Sequence, residues 1–332
     1  MKDTCCIIAE FGMLHEGSIG TALRMADAAK ELGADAVKYQ THIADAETRK
    51  NAPMPKYFSG EPRWDYFTRT AFTLDQWKVL KAHCDKIGIE FISSPFSLEA
   101  VDLLEEVGMK RYKIPSGEVT NIPFLERVAK TGKPVILSSG MSPWKEIDRA
   151  AETIKKNGNH LTVVQCTSMY PTPPEKVGLN VMQEMAERYT CPVGLSDQSL
   201  TNYAGFAAAA LGASIIEKHI TLSRWVYGSD AKHSVEPDEF RDFVAGVRAI
   251  GKMRQNSVDK NDISAVAEMK PIFEKSVVAG RDLPAGHTLT FGDMRFKKPG
   301  TGLRADRYRE VLGKKLKTAV RQDDDILPEA IL

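Results

Sequence analysis

The sequence predicts a (β/α)8 TIM barrel followed by a small C-terminal domain, and three observations carry the prediction. Short apolar runs alternate with amphipathic helical segments eight times over the first three quarters of the chain. The alternation shows no break in composition, and near Lys275 it gives way to short strand-like pieces separated by turn signals. Eight uniform βα units favour a closed parallel barrel over a doubly wound open sheet, which rarely needs so many repeats. At 332 residues the chain also exceeds the size at which one hydrophobic core usually keeps growing. The expected division is a barrel over 1–254, a linker over 255–274 and a small domain over 275–332.

The strand-like runs, in order, are CCIIAEFG, DAVKYQT, IEFISSPF, KRYKIPSG, KPVILSSG, HLTVVQCT, CPVGLSD and SIIEKHIT. In the first helical segment Ala22, Met25, Ala26, Ala29 and Leu32 fall on one face, Ser18 stands as N-cap and Gly33 stops the helix. Similar faces recur in Val101, Leu104 and Val107, in Ile147, Ala150 and Ile154, and in Phe240, Phe243, Val247 and Ile250. Each reads as a helix packed on a sheet. Connections are short except for one loop after the second strand, 43–71, which carries Pro53, Pro55, Pro62, Tyr57, Phe58, Trp64, Tyr66 and Phe67. A long loop on the βα side of a barrel is usually functional. After the eighth helix a polar stretch, 256–262, reads as linker; beyond it SVVAG, TLTFGDM and KTAVRQ read as strands.

Composition narrows the function. Acidic and basic residues nearly cancel, for a net charge of +1, and Lys and Arg are spread along the chain, which argues against a nucleic-acid groove or an anionic membrane as partner. A small molecule is the expected ligand. Cys5, Cys6, Cys84, Cys166 and Cys191 form no CxxC pair and sit mostly in apolar runs, as buried thiols in a reducing cytosol do. The N-terminal apolar run is too short for a signal peptide, and no run approaches the roughly 18 apolar residues of a membrane span. The expected location is the cytoplasm.

In a barrel of this kind chemistry sits at the C-terminal ends of the strands, and nearly every strand here ends in polar residues. In chain order they are Glu10; Lys38 and Gln40; Ser93 and Ser94; Lys113, Ser116 and Glu118; Ser138 and Ser139; Gln165 and Thr167; Ser196 and Asp197; and Glu217 with His219. Period-two alternation puts Lys38 with Gln40, and Glu217 with His219, on common faces. A single strand-end serine or lysine ordinarily meets solvent or a loop amide. Two lysines in otherwise apolar strands are different, because an unpaired buried ammonium costs several kcal/mol and needs an anion. Serines in SSP, PSG and SSG stand where hydroxyls and backbone N–H groups can hold phosphate oxygens beside helix N-termini. The ring reads as an anion cradle. His219 is the candidate metal ligand, and Asp230 and His233, in the following loop, are candidate acids, bases or supporting residues.

The strings AEFGMLHEGS, VKYQTH, SSPFS, YKIPSGE, LSSGM, CTSMYPTPP, GLSD and EKHIT, in this order, resemble the sialic acid synthase family, and the tail with KKPGTGL resembles that family's antifreeze-like (SAF) domain. The resemblance covers essentially the whole chain. It implies an enzyme that condenses phosphoenolpyruvate with the open-chain aldehyde of an N-acetylated amino sugar, such as N-acetylmannosamine, releases phosphate and leaves a nonulosonic acid, with Mn2+ or a similar ion (Mg2+ or Co2+) as cofactor. On the family pattern Lys38, Ser94, Lys113, Ser116, Ser139 and Ser196 hold phosphoenolpyruvate. Gln40, Tyr170 and Asp197 face the sugar, with Lys298 of the small domain reaching its acyl group. Glu10 and Asp230 manage protons or water, and His219 binds the metal. The resemblance also implies a homodimer in which each small domain caps the partner's barrel.

Three positions depart from the family pattern. Gln198 stands where a second metal-binding histidine is usual, and an amide oxygen is the weaker ligand. Lys298 replaces an arginine and lacks its planar fork. Leu14 replaces an asparagine in the first loop. Two other readings remain at this level: a Schiff-base pyruvate aldolase using Lys38 or Lys113, since a desolvated lysine attacks carbonyls, and a sugar-binding homologue that has lost catalysis through Gln198.

Overall fold

The computed structural model describes residues 5–53 and 60–332; Pro55, Tyr57 and Phe58 of the long loop lie outside the described residues. Two compact units are present, Met1–Asn256 and Ser257–Leu332.

The first unit holds eight strands, β1 (Cys6–Gly12), β2 (Ala36–Thr41), β3 (Glu90–Pro95), β4 (Tyr112–Ile114), β5 (Val135–Ser138), β6 (Leu161–Cys166), β7 (Val193–Asp197) and β8 (Ile215–His219). They form one sheet in the order β3-β2-β1-β8-β7-β6-β5-β4, and its ladders are parallel. β3 and β4 lie side by side and complete the ring, giving the (β/α)8 barrel.

Alternation along the strands sets two separate cores. Ile7, Ala9, Val37, Tyr39, Phe91, Leu137, Val163, Leu195 and Ile216 point outward and join the apolar faces of the surrounding helices. Ile8, Ala36, Ile92, Ile136, Val164 and Ile215 form a second buried cluster that plugs the barrel interior. Two residues further along those six strands come Glu10, Lys38, Ser94, Ser138, Cys166 and Glu217, which therefore share the inward parity and sit directly above the plug. The apolar floor under this polar layer excludes water from one side.

The helices follow the sequence closely. Ser18 caps Ile19–Glu31 by accepting from Thr21 N at 3.2 Å, and Ala22, Met25, Ala26 and Ala29 are buried on one face. Gly33 takes φ +89°, a left-handed conformation that ends the helix without a Cβ penalty. The connection after β2 is not a single loop: it contains a helical turn, Ala44–Glu47, and an amphipathic helix, Arg63–Thr70, that buries Tyr66 and Thr70. Its aromatics gave no clean period in the sequence because the helix is only two turns long.

In the second unit the linker stretch contains a 3-10 turn, Ser264–Val266, and a short helix, Met269–Phe273. β9 (Ser276–Ala279) pairs antiparallel with β10 (Met294–Lys297) over a small core of Val277, Ala279, Leu289, Met294, Leu316 and Ile326. Two sequence expectations change here. TLTFGDM holds an isolated bridge at Thr288 and a 3-10 turn, Phe291–Asp293, leading into β10, and KTAVRQ contributes an isolated bridge, Leu283 to Val320. Asp293 organises the turn: it takes His287 Nε2 at 2.9 Å and the Thr290 hydroxyl at 2.7 Å. Burial opposes its charge, but these donors and Arg281 hold its carboxyl well below the usual range. Among the described residues no helix is long and apolar enough to cross a membrane.

Candidate active site

A cavity of about 550 Å³ opens at the C-terminal ends of the barrel strands. Its floor is a buried ring of alternating charge. Lys38 Nζ lies 2.8 Å from Glu10 Oε2 and 3.7 Å from Glu217 Oε1, and donates to Ser94 Oγ at 3.2 Å. Lys113 Nζ donates to Glu217 Oε1 at 3.0 Å, and Ser196 Oγ donates to the same oxygen at 3.1 Å. Burial pulls the Lys38 ammonium down, but Glu10 and Glu217 overcome it and hold its pKa above the ordinary lysine value. Burial likewise raises Glu217, yet Lys113 and Lys38 outweigh it and bring its carboxyl down to about 2. The ring thus keeps the buried Lys38 ammonium charged, with Lys113 paired to the same Glu217 carboxylate.

Hydroxyls stand beside the ring. Ser116 Oγ and Ser138 Oγ lie 3.0 Å apart. A Cβ on Gly140 would fall 2.3 Å from the hydroxyl oxygens of both Ser116 and Ser168, so only glycine leaves those hydroxyls room to converge. Gly12 has a similar role on the opposite wall, where a Cβ would meet Asp230 Oδ2 at 2.9 Å and Gln40 Nε2 at 3.1 Å. Gln40 donates to Glu10 Oε1 at 2.8 Å. His219 Nδ1 lies 3.7 Å from Asp230 Oδ2, and the Tyr170 ring stands edge-on to the His219 ring at 5.9 Å.

The cavity therefore brings together Glu10, Lys38, Gln40, Ser94, Lys113, Ser116, Glu118, Tyr170, Ser196, Gln198, Glu217, His219 and Asp230. Two sequence-assigned residues point elsewhere. Ser139 has the outward parity, where its hydroxyl donates to Gln165 Oε1 at 3.1 Å and accepts from Cys166 N at 3.2 Å; its neighbour Ser138 faces the cavity. Asp197 is also outward and pairs with the fully buried Lys218 at 2.7 Å. Lys218 further donates to the Thr201 carbonyl at 2.8 Å, so this pair ties down the loop after β7. Both assignments fail for one reason: adjacent strand residues cannot share a face. Lys298 lies in the second unit, its Nζ 4.7 Å from the Phe273 ring centre. His233 is half-buried on a 3-10 turn, Ala231–His233, and does not line the cavity.

Sequence reasoning missed His42, Glu47, Arg63, Phe96, Ser168 and Ser229, which line the cavity together with Phe67 from the long loop after the second strand. Most come from loops whose path no periodicity reveals. His42 alone carried a signal, being two residues beyond Gln40 on the same parity.

Among the described residues no three His, Cys, Asp or Glu side chains converge as a metal cluster. The cavity nevertheless offers a mixed donor set that fits a divalent ion. Gln198 spends Nε2 on Ser196 Oγ at 3.1 Å and Cys166 Sγ at 3.6 Å, which leaves its Oε1 buried without a hydrogen-bond partner among the described residues. That oxygen and the His219 imidazole are both ligand types that Mn2+ and Mg2+ accept, imidazole better for the former.

Residues 25–259 match the NeuB family and residues 274–332 the SAF domain. The N,N'-diacetyllegionaminic acid synthase of Campylobacter jejuni is 37% identical across 99% of this chain and 100% of its own length. The N-acetylneuraminate-9-phosphate synthase of Mus musculus is 34% identical across 99% of this chain and 93% of its own. A crystal structure of N-acetylneuraminic acid synthetase from Leptospira borgpetersenii, in complex with citrate, superposes with a TM-score of 0.70 at 30% identity, covering 80% of this chain and 90% of that one.

Proposed function

Because this chain belongs to the NeuB family, we propose that it is a nonulosonic acid synthase that condenses phosphoenolpyruvate with the open-chain aldehyde of an N-acetylated amino sugar and releases phosphate. The observation that carries the reading is the buried ring of Glu10, Lys38, Glu217 and Lys113, with hydroxyls at its edge. Lys38 and Lys113, with Ser94, Ser116, Ser138 and Ser196, bind the phosphate and carboxylate of phosphoenolpyruvate. Charge-assisted hydrogen bonds of this kind are the strong ones. Gln40 and Tyr170 face the sugar.

C3 of the enol ester forms a bond to the aldehyde carbon, whose oxygen takes up a proton. Water then adds at C2, its proton passing to Glu10 or Asp230, and the C2–O bond to phosphate breaks. Atoms balance as phosphoenolpyruvate, aldehyde and water going to the nonulosonic acid and inorganic phosphate. A divalent ion held by His219 and Gln198 Oε1, Mn2+ in the first instance and Mg2+ or Co2+ as substitutes, would polarise the aldehyde oxygen. The test is phosphate release on incubation with phosphoenolpyruvate, Mn2+ and a panel of amino sugars that includes N-acetylmannosamine and a 2,4-diacetamido-6-deoxy hexose, with and without chelator. Release that needs both substrates supports the proposal, and no release with any sugar refutes it. For the alternative imine mechanism through Lys38 or Lys113, the discriminating test is borohydride with pyruvate, which should trap nothing.

A further inference from the structure

His42 is buried at the end of β2 with its ring sandwiched between two aromatic faces. Phe67, from the helix Arg63–Thr70, stacks on one side at 3.8 Å between ring centres and 7° between planes, and Phe96, just after β3, on the other at 4.1 Å and 21°. Its two nitrogens are both engaged: Nδ1 lies 2.7 Å from Glu47 Oε1, and Nε2 lies 3.1 Å from Gln40 Oε1. Gln40 in turn donates its Nε2 to Glu10 Oε1 at 2.8 Å. Four residues thus form one chain, Glu47, His42, Gln40 and Glu10, running from the cavity wall to the charged floor.

The donor count along this chain fixes its polarity. Glu10 accepts only, so Gln40 must turn its amide nitrogen toward Glu10 and its oxygen toward His42; the reverse orientation would set two oxygens 2.8 Å apart. His42 Nε2 then faces an acceptor and must donate. The contact at Nδ1 is to a carboxyl oxygen, and an ionised Glu47 there calls for a second donated proton. We infer that His42 donates from both nitrogens, as an imidazolium paired with Glu47, and that this pair is the positioning device that fixes the Gln40 amide. Two π faces in van der Waals contact suit a cation there. Charged and titratable groups facing His42 are Glu47 from the turn Ala44–Glu47, Glu118 from the segment after β4 and His15 from the loop after β1. The outer end of the device serves the substrate. Glu47 lines the cavity, and its Oε2 is buried without a hydrogen-bond partner among the described residues, an acceptor open to a hydroxyl or amide N–H of the sugar. Phosphoenolpyruvate has no donor to offer it when fully ionised.

This inference rests on the synthase reading only for its kinetic consequence. The test uses the full-length protein labelled with 15N-histidine, with the His42 signals identified by their loss in His42→Gln. Both ring nitrogens should appear protonated at the assay pH, and in Glu47→Gln one of them should revert to an unprotonated shift. A single protonated nitrogen in the unmodified protein, or no change in Glu47→Gln, overturns the inference. In steady-state assays Glu47→Gln should raise KM for the sugar about tenfold with KM for phosphoenolpyruvate within about twofold, the loss of one charged hydrogen bond. An equal effect on both KM values contradicts it. If no sugar is turned over at all, the synthase reading fails and the nitrogen shifts alone decide this one.

Discussion

Lys113 Nζ and Ser196 Oγ both donate to one carboxylate oxygen of Glu217, at 3.0 and 3.1 Å, and Lys38 Nζ lies 3.7 Å from the same atom. One anion therefore holds two buried cations apart on the cavity floor. Glu217→Gln leaves both lysines short of charge. We expect a loss of about 3 kcal/mol or more in stability, as when one partner of a buried pair is removed, and at least a hundredfold loss of kcat/KM. Urea unfolding and phosphate-release kinetics check the two together. The pH dependence has a definite sign. Glu217 is held at about 2 against an ordinary 4.5, so its contribution is complete above pH 4.5 and is lost as the pH falls toward 2. Glu217→Gln should flatten that part of the acid limb.

Gly140 tests the hydroxyl cradle. In Gly140→Ala the new methyl meets the Ser116 and Ser168 hydroxyls, which can rotate away, and the Ser116 Cβ at 2.9 Å, so the Ser116 turn must also shift. KM for phosphoenolpyruvate should rise about tenfold, the equivalent of one lost hydrogen bond to a charged group. Unchanged phosphoenolpyruvate kinetics would remove these serines from the site.

Arg69 latches the helix that lines the cavity. It pairs with Glu16 at 2.7 Å and Glu61 at 2.5 Å and lies against the rings of Tyr66 and Tyr227. Tyr66 donates to Glu16 at 2.9 Å. The pairs are part-exposed, so Arg69→Met should cost less than about 1 kcal/mol of stability. Its effect should fall on KM for the sugar, because Arg63, Tyr66 and Phe67 lose their anchor. A change in KM for phosphoenolpyruvate alone would contradict this placement.

His15 gives a second pH signature. It is buried, stacked on Phe72 at 4.2 Å, and its Nδ1 accepts from Gly17 N at 3.1 Å. Burial, with His42 nearby, depresses its pKa to about 3 from 6.5. Above pH 6.5 both folded and unfolded chains carry it neutral; below, the unfolded chain takes a proton that the folded chain refuses. Stability should fall by an amount on the order of 4 kcal/mol between pH 6.5 and 3. His15→Gln should flatten that slope in thermal unfolding followed across pH.

Much of this was legible in the sequence. The eight strands, the Ser18 cap and the Gly33 stop follow from period and local chemistry, because barrel strands and their helices are each set by nearest neighbours. Lys38, Lys113 and Glu217 announced themselves as charges in apolar runs. Ser139 and Asp197 were misassigned where two polar residues end one strand and parity alone decides which faces inward. The Lys218 to Asp197 pair shows why: a buried lysine can serve a loop as well as a ligand. His42, Glu47 and Phe96 needed three-dimensional placement, since nothing in their spacing joins β2 to the residues after β3.

In the proposed reaction the barrel floor joins phosphoenolpyruvate to an amino-sugar aldehyde and expels phosphate by C–O cleavage. Mass spectrometry of a reaction run in 18O-water measures it most directly. The expected products are a new acid heavier than the sugar by the pyruvate unit and phosphate free of 18O, because the bridging oxygen of phosphoenolpyruvate leaves with phosphorus. Phosphate carrying 18O, or phosphate with no such acid, would contradict it.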